Sequence, residues 1–565
     1  MYLDFKVEIP QIKGKIYKKT IKDVTYINYE YARVYKPEKK YNIPKRTTIG
    51  KVCAEEPHMM YPNPNFLKYF PEVELPEETE RTDRSSCLRT GAFLIIKKII
   101  KDYKLDEIIE NIINRDSDLF LDLVAYAIIT ENNAGQYYPD YAYNHPLFTE
   151  NMRIYSDSKI SDFISSITED QSIAFLNQWN ENRNYKERIY ISYDSTNKNC
   201  QAGDVEIAEF GHSKDGGDKP IFNYSIAYDC NNREPLFYEE YPGSIVDVSQ
   251  LQYMLEKAKG YGYKKVGFIL DRGYFSKEHI RYMDKCNYDF VIMVKGMKKL
   301  VREIITEHKG SFEESRLHSI RNYKVSGMTV KRHLYLSDEK ERYFHMYYSS
   351  RKNAAERETV EAKIDRMSTY LKKREGQSIT IDGFDKYFDL IYYHEGQEDQ
   401  KFMFARERND VIDREIRLCG YFVIITSKKM TAEEALTLYK SRDNSEKLFR
   451  GDKSYLGNKS LRVQSDESIK AKILIEFVAL VVRNKIYTCL KDTMIKNGKR
   501  SNYMTVPAAS KELEKIEMIR QLDNKYRLDH AVTAHQKAIL KAFDVKDVTY
   551  VKKQANLIRE ELETL

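Results

Sequence analysis

Three acids in this sequence stand where carboxylates can do chemistry. Asp194 closes the stretch "RIYISYD", Asp271 closes "KKVGFILD", and Glu446 lies in the charged run "YKSRDNSEKLFRGDK", residues 439–453. Each has an ordinary explanation: an acid capping its own turn, an acid before a glycine turn, a solvated helix glutamate. Gathered in one small volume they mean something else. Three carboxylates repel each other unless a cation sits among them, and hard divalent ions with oxygen ligands are the natural partner. Two such ions about 3.5–4 Å apart are what in-line displacement at phosphorus requires.

The run that carries Glu446 adds to this. Read as one continuous helix at ~100 degrees per residue, Tyr439, Arg442, Glu446, Arg450 and Lys453 fall within an arc of about 80 degrees, with Leu448 opposite. Such a face suits a phosphodiester held through a metal: the glutamate for the ion, the cations and phenol for the strand. Intrahelical salt bridges account for the charges too, but leave Tyr439 and the two aspartates unexplained.

The elements that must position these residues follow from periodicity. Residues 188–194 alternate as a strand, with Tyr190, Ser192 and Asp194 on one face. "IFNYSIAYD" and "EPLFYEEY" flank the turn "CNNR" as a hairpin. "DVSQLQYMLEKAKGYG" predicts an amphipathic helix, "KKVGFILD" a strand, "SKEHIRYMDKC" a helix and "YDFVIMVKG" another strand. An α/β layer results, with both aspartates expected at strand ends, where catalytic groups of such sheets cluster. Residues 300–415 then mix strands ("MTVKRHLYLS", "YFHMYYSS", "KYFDLIYYH", "KFMFA") with one long charged helix, and predict an inserted β-rich subdomain. "GYFVIITS" returns as a strand, and helices follow over 431–450 and 466–492.

Composition bounds the rest. At 565 residues, two to four domains are expected, and 42% apolar content supports real burial. Seven scattered cysteines without a C-x-x-C pair speak against a disulfide framework or zinc knuckle and for a reducing compartment. "MYLDFKVEIP" is no signal peptide. The most apolar runs, 119–129 and 473–482, are too short to span a bilayer and predict buried helices. Residues 1–50 hold 12 Lys/Arg against 5 Asp/Glu, interleaved with tyrosines; residues 51–85 hold 4 against 8. Basic side chains beside flat rings suit phosphates and bases; lysines protecting the edge of a solvated hairpin explain the segment equally well.

At this point the sequence resembles a known family. Tyr439-x2-Arg442-x3-Glu446-x6-Lys453 matches the Tyr-Arg-Glu-Lys signature of bacterial DDE transposases of the cut-and-paste insertion-sequence type. "YDST", "DRGYFS", "FGHSKDGGDKPIFNYSIAYD", "GYFVIITS" and "ESIKAKILIEFVALVVRNKI" are similar to that family over roughly residues 186–490. The resemblance implies a ribonuclease H-like mixed sheet with flanking helices, a β-rich insertion and a mainly helical N-terminal region. It implies Asp194, Asp271 and Glu446 as the triad binding two Mg²⁺ ions, with Mn²⁺ substituting. It implies Tyr439, Arg442 and Lys453 on the phosphate and the transposon end; the wheel adds Arg450.

The expected domains are 1–85, a basic, aromatic segment for DNA ends; 86–185, helical; 186–299, the first part of the core; 300–418, the insertion; 419–495, the rest of the core; and 496–565, a helical region for dimerisation. The 174 residues separating Asp271 from Glu446 leave room for that insertion. Where relatives stack a flipped base on a tryptophan of the insertion, the one tryptophan here, Trp179, lies outside it, so Tyr347 or Tyr348 would have to serve, or the hairpin route is not used. The expected partners are double-stranded DNA, as inverted-repeat ends and target, and a second copy in a synaptic homodimer, with no membrane. The expected location is the bacterial cytoplasm, at the nucleoid. A stand-alone metal-dependent nuclease on the same core and a catalytically silent DNA-binding protein remain as alternatives.

Overall fold

The computed structural model describes every residue except 1, 4, 22–23, 38–39, 74–83, 184–187, 201–204, 212–218, 246, 264, 295–297, 336, 339, 397–399, 457–460, 462, 464, 501–502 and 564–565. Part of the "FGHSKDGGDKPIFNYSIAYD" motif and of the acidic segment 51–85 lies outside the described residues. The chain divides into two compact units: Met1–Phe175 with Ser454–Asn458 and Glu467–Leu565, and Leu176–Lys453 with Lys459–Asp466.

The first unit opens with strands β1 (Val7–Glu8), β2 (Ile16–Ile21), β3 (Val24–Lys36), β4 (Tyr41–Val52) and β5 (Met59–Pro62) and helix α1 (Pro64–Tyr69). The strands form an antiparallel sheet in the order β1-β5-β4-β3-β2 over a small core of Val7, Ile27, Ile49, Met60 and Phe66. After β6 (Cys87–Arg89) the chain turns helical: α2 (Gly91–Asp102), α3 (Leu105–Ile113), α4 (Ser117–Thr130), α5 (Tyr138–Asn144), α6 (Asp157–Ser166) and α7 (Glu169–Glu181), the last crossing into the second unit. The run 119–129 forms most of α4 and is buried all round from Leu119 to Ile128. Its one acid, Asp122, accepts from the amides of Phe148 at 2.6 Å and Thr149 at 3.2 Å, so a buried carboxylate is left with partners.

The second unit is built on a nine-stranded mixed sheet. β7 (Ile189–Asn199), β8 (Ile221–Asp229) and β9 (Glu234–Pro242) form an antiparallel meander. α8 (Asp247–Gly260) leads to β10 (Val266–Leu270), parallel to β7, and α9 (Lys277–Lys285) to β11 (Asp289–Met293), parallel to β10. α10 (Lys298–His308) precedes β12 (Ser319–Ile320), β13 (Val325–His333) and β14 (Glu341–Tyr348). Then come α11 (Ser350–Lys372), β15 (Phe388–Tyr393), β16 (Lys401–Glu407), α12 (Asn409–Leu418), β17 (Tyr421–Thr426), α13 (Ala432–Lys440) and α14 (Asp443–Tyr455). The sheet order is β12-β13-β14-β17-β11-β10-β7-β8-β9.

The expected insertion over 300–418 therefore divides. β12, β13 and β14 belong to the main sheet, because β17 pairs along its whole length with Tyr343–Tyr348 of β14. Only the stretch from α11 to α12 has its own core, of Ile364, Leu371, Tyr387, Phe388, Phe402 and Ile412 around the β15–β16 pair. Tyr347 is accordingly no stacking platform: it is fully buried in β14 and donates its hydroxyl to the Ala432 carbonyl at 2.8 Å. Tyr348 is half-buried, its ring 4.9 Å from that of Tyr421.

The chain returns to the first unit through α15 (Asp466–Lys496), α16 (Val506–Leu513), β18 (Glu517–Arg520), β19 (Tyr526–Leu528), α17 (Ala534–Lys541) and α18 (Thr549–Glu563). The run 473–482 is a buried segment of α15. The C-terminal region expected to be helical also carries β18 and β19, which make a three-stranded sheet with β6; that pairing spans more than 400 residues and leaves no local sequence trace. Among the described residues no helix is long and apolar enough to cross a membrane.

Candidate active site

The parallel pairing of β7 with β10 sets Ile269 level with Ser192. Two residues further on, Asp271 comes level with Asp194 and faces the same way, since side chains alternate along a strand. β10 ends at Leu270, and Asp271 opens the 3₁₀ turn Arg272–Tyr274. Asp194 does not end its strand as expected. β7 runs on to Asn199, paired rung by rung with β8. The residues Ser195–Asn199 look like a turn, but β8 supplies partners for them: the Asn197 side-chain amide donates to Asn223 Oδ1 at 2.5 Å. Asp194 thus stands two residues past the last parallel pair, not where the strand ends. Gly267 clears the same face, since a Cβ there would lie 2.4 Å from the Tyr190 ring.

Across this face lie α13 and α14. Thr431 and Glu434 form a capping box that starts α13. Ala432, Leu436 and Tyr439 then pack on Ile269, Val291 and Ile424 of the sheet. The single helix expected over 431–450 is two helices, because the chain turns at Ser441 and Arg442. Short i to i+3 bonds bridge the break, among them Ser445 N to Arg442 O at 2.9 Å. The five-residue arc drawn for a continuous helix does not survive the break intact: Tyr439 belongs to α13, Arg442 to the turn, and Glu446, Arg450 and Lys453 to α14.

Two polar contacts absent from the sequence reading hold α14 on β7. The hydroxyls of Ser445 and Ser192 meet at 3.0 Å, both residues buried. Lys198 Nζ lies 2.9 Å from Asp452 Oδ2, with neither side chain exposed at all. The contact is an ion pair rather than an aligned hydrogen bond to that oxygen. Lys198 also lies over the Tyr224 ring, 4.5 Å from its centroid. The available signal was periodicity: Ser445 and Asp452 fall on the same side of α14 as Leu448, and all three are buried.

At the site itself, Tyr439 is buried and points its hydroxyl at Asp271 Oδ1, at 3.5 Å. Arg442 Nη1 lies 3.5 Å from the same oxygen, and Arg442 Nη2 donates to Glu446 Oε1 at 2.5 Å. The guanidinium therefore sits between the second and third acids. Burial works against its charge, but Tyr439, Asp271, Glu446 and Asp194 around it outweigh that and hold it above its ordinary value. Burial, helped by Asp271 and opposed by Arg442, pushes the Tyr439 phenol up to about 12, so it stays a hydrogen-bond donor.

The sequence-predicted residues meet in part. Tyr439, Arg442, Asp271 and Glu446 form one connected set, with Asp194 beside Asp271 by register. Glu446 is not turned fully inward: its side chain is 48% exposed, at the rim. Lys453 is half-buried further along α14, and the side chain of Arg450 lies outside the described residues. Among the described residues, no three His, Cys, Asp or Glu side chains converge closely enough to hold a metal ion. The three acids nonetheless offer oxygen donors only, the chemistry that suits magnesium or manganese rather than zinc.

The sequence profile of the family described as "Transposase DDE domain" matches residues 191–482, a span that contains Asp194, Asp271 and Glu446. No curated protein matches the chain. Eight chains of solved structures are similar. One is a piggyBac transposase synaptic complex with hairpin DNA, 8% identical over 84% of this chain and 82% of that one, with a TM-score of 0.34; at that distance the likeness says nothing further.

Proposed function

The chain belongs to the transposase DDE-domain family, and from that premise we propose that it cuts phosphodiester bonds at the ends of a DNA element and joins the freed 3′-hydroxyl to target DNA. The sheet from β9 to β11 is the ribonuclease H-like core of that activity. The observation that carries the proposal is the single guanidinium of Arg442 drawn to Asp271 and Glu446, with Asp194 level with Asp271. Acids so placed around one cation are placed for a dication. Asp194, Asp271 and Glu446 would hold the two Mg²⁺ ions, or Mn²⁺ in their stead. When bound, such ions supply the Lewis acidity that activates an attacking oxygen and steadies the leaving one.

The remaining work falls to side chains of this protein. Arg442 is poised to exchange a carboxylate for a phosphate oxygen, two groups that fit the same planar fork. Tyr439 stays protonated and offers its hydroxyl to the strand. Arg450 and Lys453, further along α14, extend the cationic track along the same DNA, and residues 1–85 contact the element's ends. Two copies bring two ends together. The family's bacterial insertion-sequence branch is the best fit to the Tyr-Arg-Glu-Lys pattern.

The test is chemical. Asp194→Asn, Asp271→Asn and Glu446→Gln should each abolish cleavage of terminal-repeat DNA while leaving DNA binding in place, and should weaken Mn²⁺ binding measured calorimetrically. A Glu446→Gln protein that cuts at the normal rate sinks the assignment. Joining of pre-cut ends to a plasmid separates a transposase from a plain nuclease, which would only hydrolyse.

A further inference from the structure

β3 and β4 outrun their neighbours. β2 pairs with β3 only as far as Tyr29, and β5 pairs with β4 only at Gly50–Val52. Residues 32–36 and 41–45 therefore have strand pairing only with each other, from Ala32↔Lys45 to Lys36↔Tyr41, while Glu30 at the base still donates its amide to Lys15 O at 2.8 Å. A two-stranded ribbon with water on both faces buries almost nothing and is marginal by itself. This one nevertheless keeps Val34, Tyr35 and Tyr41 exposed, at 41%, 57% and 56%. Exposed apolar groups held on a projecting element mark a contact surface.

Charge names the partner. Residues 30–47 carry six Lys/Arg against two acids. One of those acids is spent inside: Glu30 is buried and holds Arg33 at 2.6 Å and Arg46 at 3.1 Å, with Arg46 over the Tyr17 ring at 3.7 Å. The base of the ribbon is thereby fixed, and a bulge between Glu30 and Ala32 sets its departure from the sheet. Cross-strand pairs place Arg33 with Pro44 and Tyr35 with Asn42 on one face, and Val34 with Ile43 and Lys36 with Tyr41 on the other. Pro44 interrupts the open edge of β4, which disfavours strand addition by a second copy.

We propose that the projecting ends of β3 and β4, residues 30–36 and 41–47, form a β-ribbon that enters the major groove of duplex DNA. A two-stranded ribbon is one of the two elements that groove admits. Asn42 faces the base edges, beside Tyr35 on the same side of the ribbon, since asparagine reads adenine there. Lys36, Lys40 and Lys45 reach the phosphates at the rims. The proposal rests on the transposase assignment only for which DNA is bound; the mode of binding is independent of catalysis.

The experiment uses the full-length chain and fluorescence anisotropy with a random-sequence duplex and its single strand. Lys36→Ala/Lys40→Ala/Lys45→Ala should lower the slope of log affinity against log salt by about 2.7, at roughly 0.9 per lost phosphate contact. Asn42→Ala should keep nearly the whole salt slope. In selection from a random duplex pool, it should lose the preference at one short block of base pairs. An unchanged slope in the lysine variant overturns the proposal, as does equal affinity for single strand and duplex, or a change of oligomeric state in place of a change of slope. Failure of the ribbon with Glu446→Gln still abolishing cleavage leaves the enzyme assignment standing. A reduced slope with Glu446→Gln still cutting leaves the ribbon standing and removes the enzyme assignment.

Discussion

Lys198→Met takes the neutralising ammonium away from the buried Asp452 carboxylate. Both side chains of this pair are fully buried and 2.9 Å apart. Breaking such a pair from one side costs about 3–5 kcal/mol, because a buried charge loses its counter-charge. Asp452→Asn should cost less, on the order of 2–3 kcal/mol: the asparagine carbonyl dipole still faces the ammonium, and the Tyr224 ring 4.5 Å from it supplies a cation–π contact worth up to about 2 kcal/mol. Lys198→Met/Asp452→Leu removes both charges and should recover most of the loss. Since the pair ties α14 to β7, the effect should be read locally, by hydrogen exchange of the amides of residues 443–453 in the intact chain. At about 1.4 kcal/mol per decade, Lys198→Met should speed exchange by roughly a hundredfold to a few thousandfold. Cleavage should fall in step, because the same helix carries Glu446. The reasoning fails if Lys198→Met changes exchange less than tenfold, or if the double variant costs the sum of the singles.

Arg442→Ala should tighten Mn²⁺ binding to the DNA-free chain, by about tenfold once the exposure of both acids is discounted, because a competing cation is gone from Asp271 and Glu446; calorimetry that finds weaker or unchanged binding refutes this. His345, buried with its ring nitrogens 2.8 and 2.9 Å from the hydroxyls of Thr329 and Thr426, is lowered by burial to about 4. Its depressed folded value means that it contributes stability above pH ~6.5, which is lost as pH falls toward 4, roughly 3 kcal/mol in all. His345→Gln should flatten denaturant stability across that window, and an unaltered acid limb would count against it. Gly267→Ala forces a methyl to within 2.4 Å of the Tyr190 ring and should cost about 1–3 kcal/mol by thermal unfolding; a neutral result would show that the ring has another place to go.

Local pattern carried the elements well and their assembly less well. The strands around Asp194 and Asp271 and the buried helices α4 and α15 are plain in the sequence, the first from its alternation and the others from continuous apolar runs. Ser195–Asn199 misled, because a polar strand interior looks like a turn until Asn223 is known to lie opposite. The break at Ser441–Arg442 is also silent: neither residue is a glycine or proline, and the i to i+3 bonds that close it replace helical ones almost one for one. The assignment of β12–β14 to the main sheet rests on pairing with β17, which comes more than seventy residues after β14. At the site, types and order sufficed to pick out Tyr439, Arg442 and the three acids. The sheet-facing pairs Ser192–Ser445 and Lys198–Asp452 needed coordinates, because their meaning lies in partners about 250 positions away.

The rung Tyr348↔Tyr421 closes β14 against β17, and the next contact outward, Ser349 N to Gly420 O at 3.0 Å, still belongs to that ladder. Everything between, α11 through α12 with its private core, is topologically the loop of a β-hairpin. Closing a loop that long costs only roughly 4 kcal/mol of chain entropy, little more than a loop a quarter its length. Evolution could therefore lengthen, shorten or swap this cassette without moving a rung of the sheet that holds Asp194 and Asp271. Excising it down to a tight turn should leave the acids in register and strip away only what the cassette itself does.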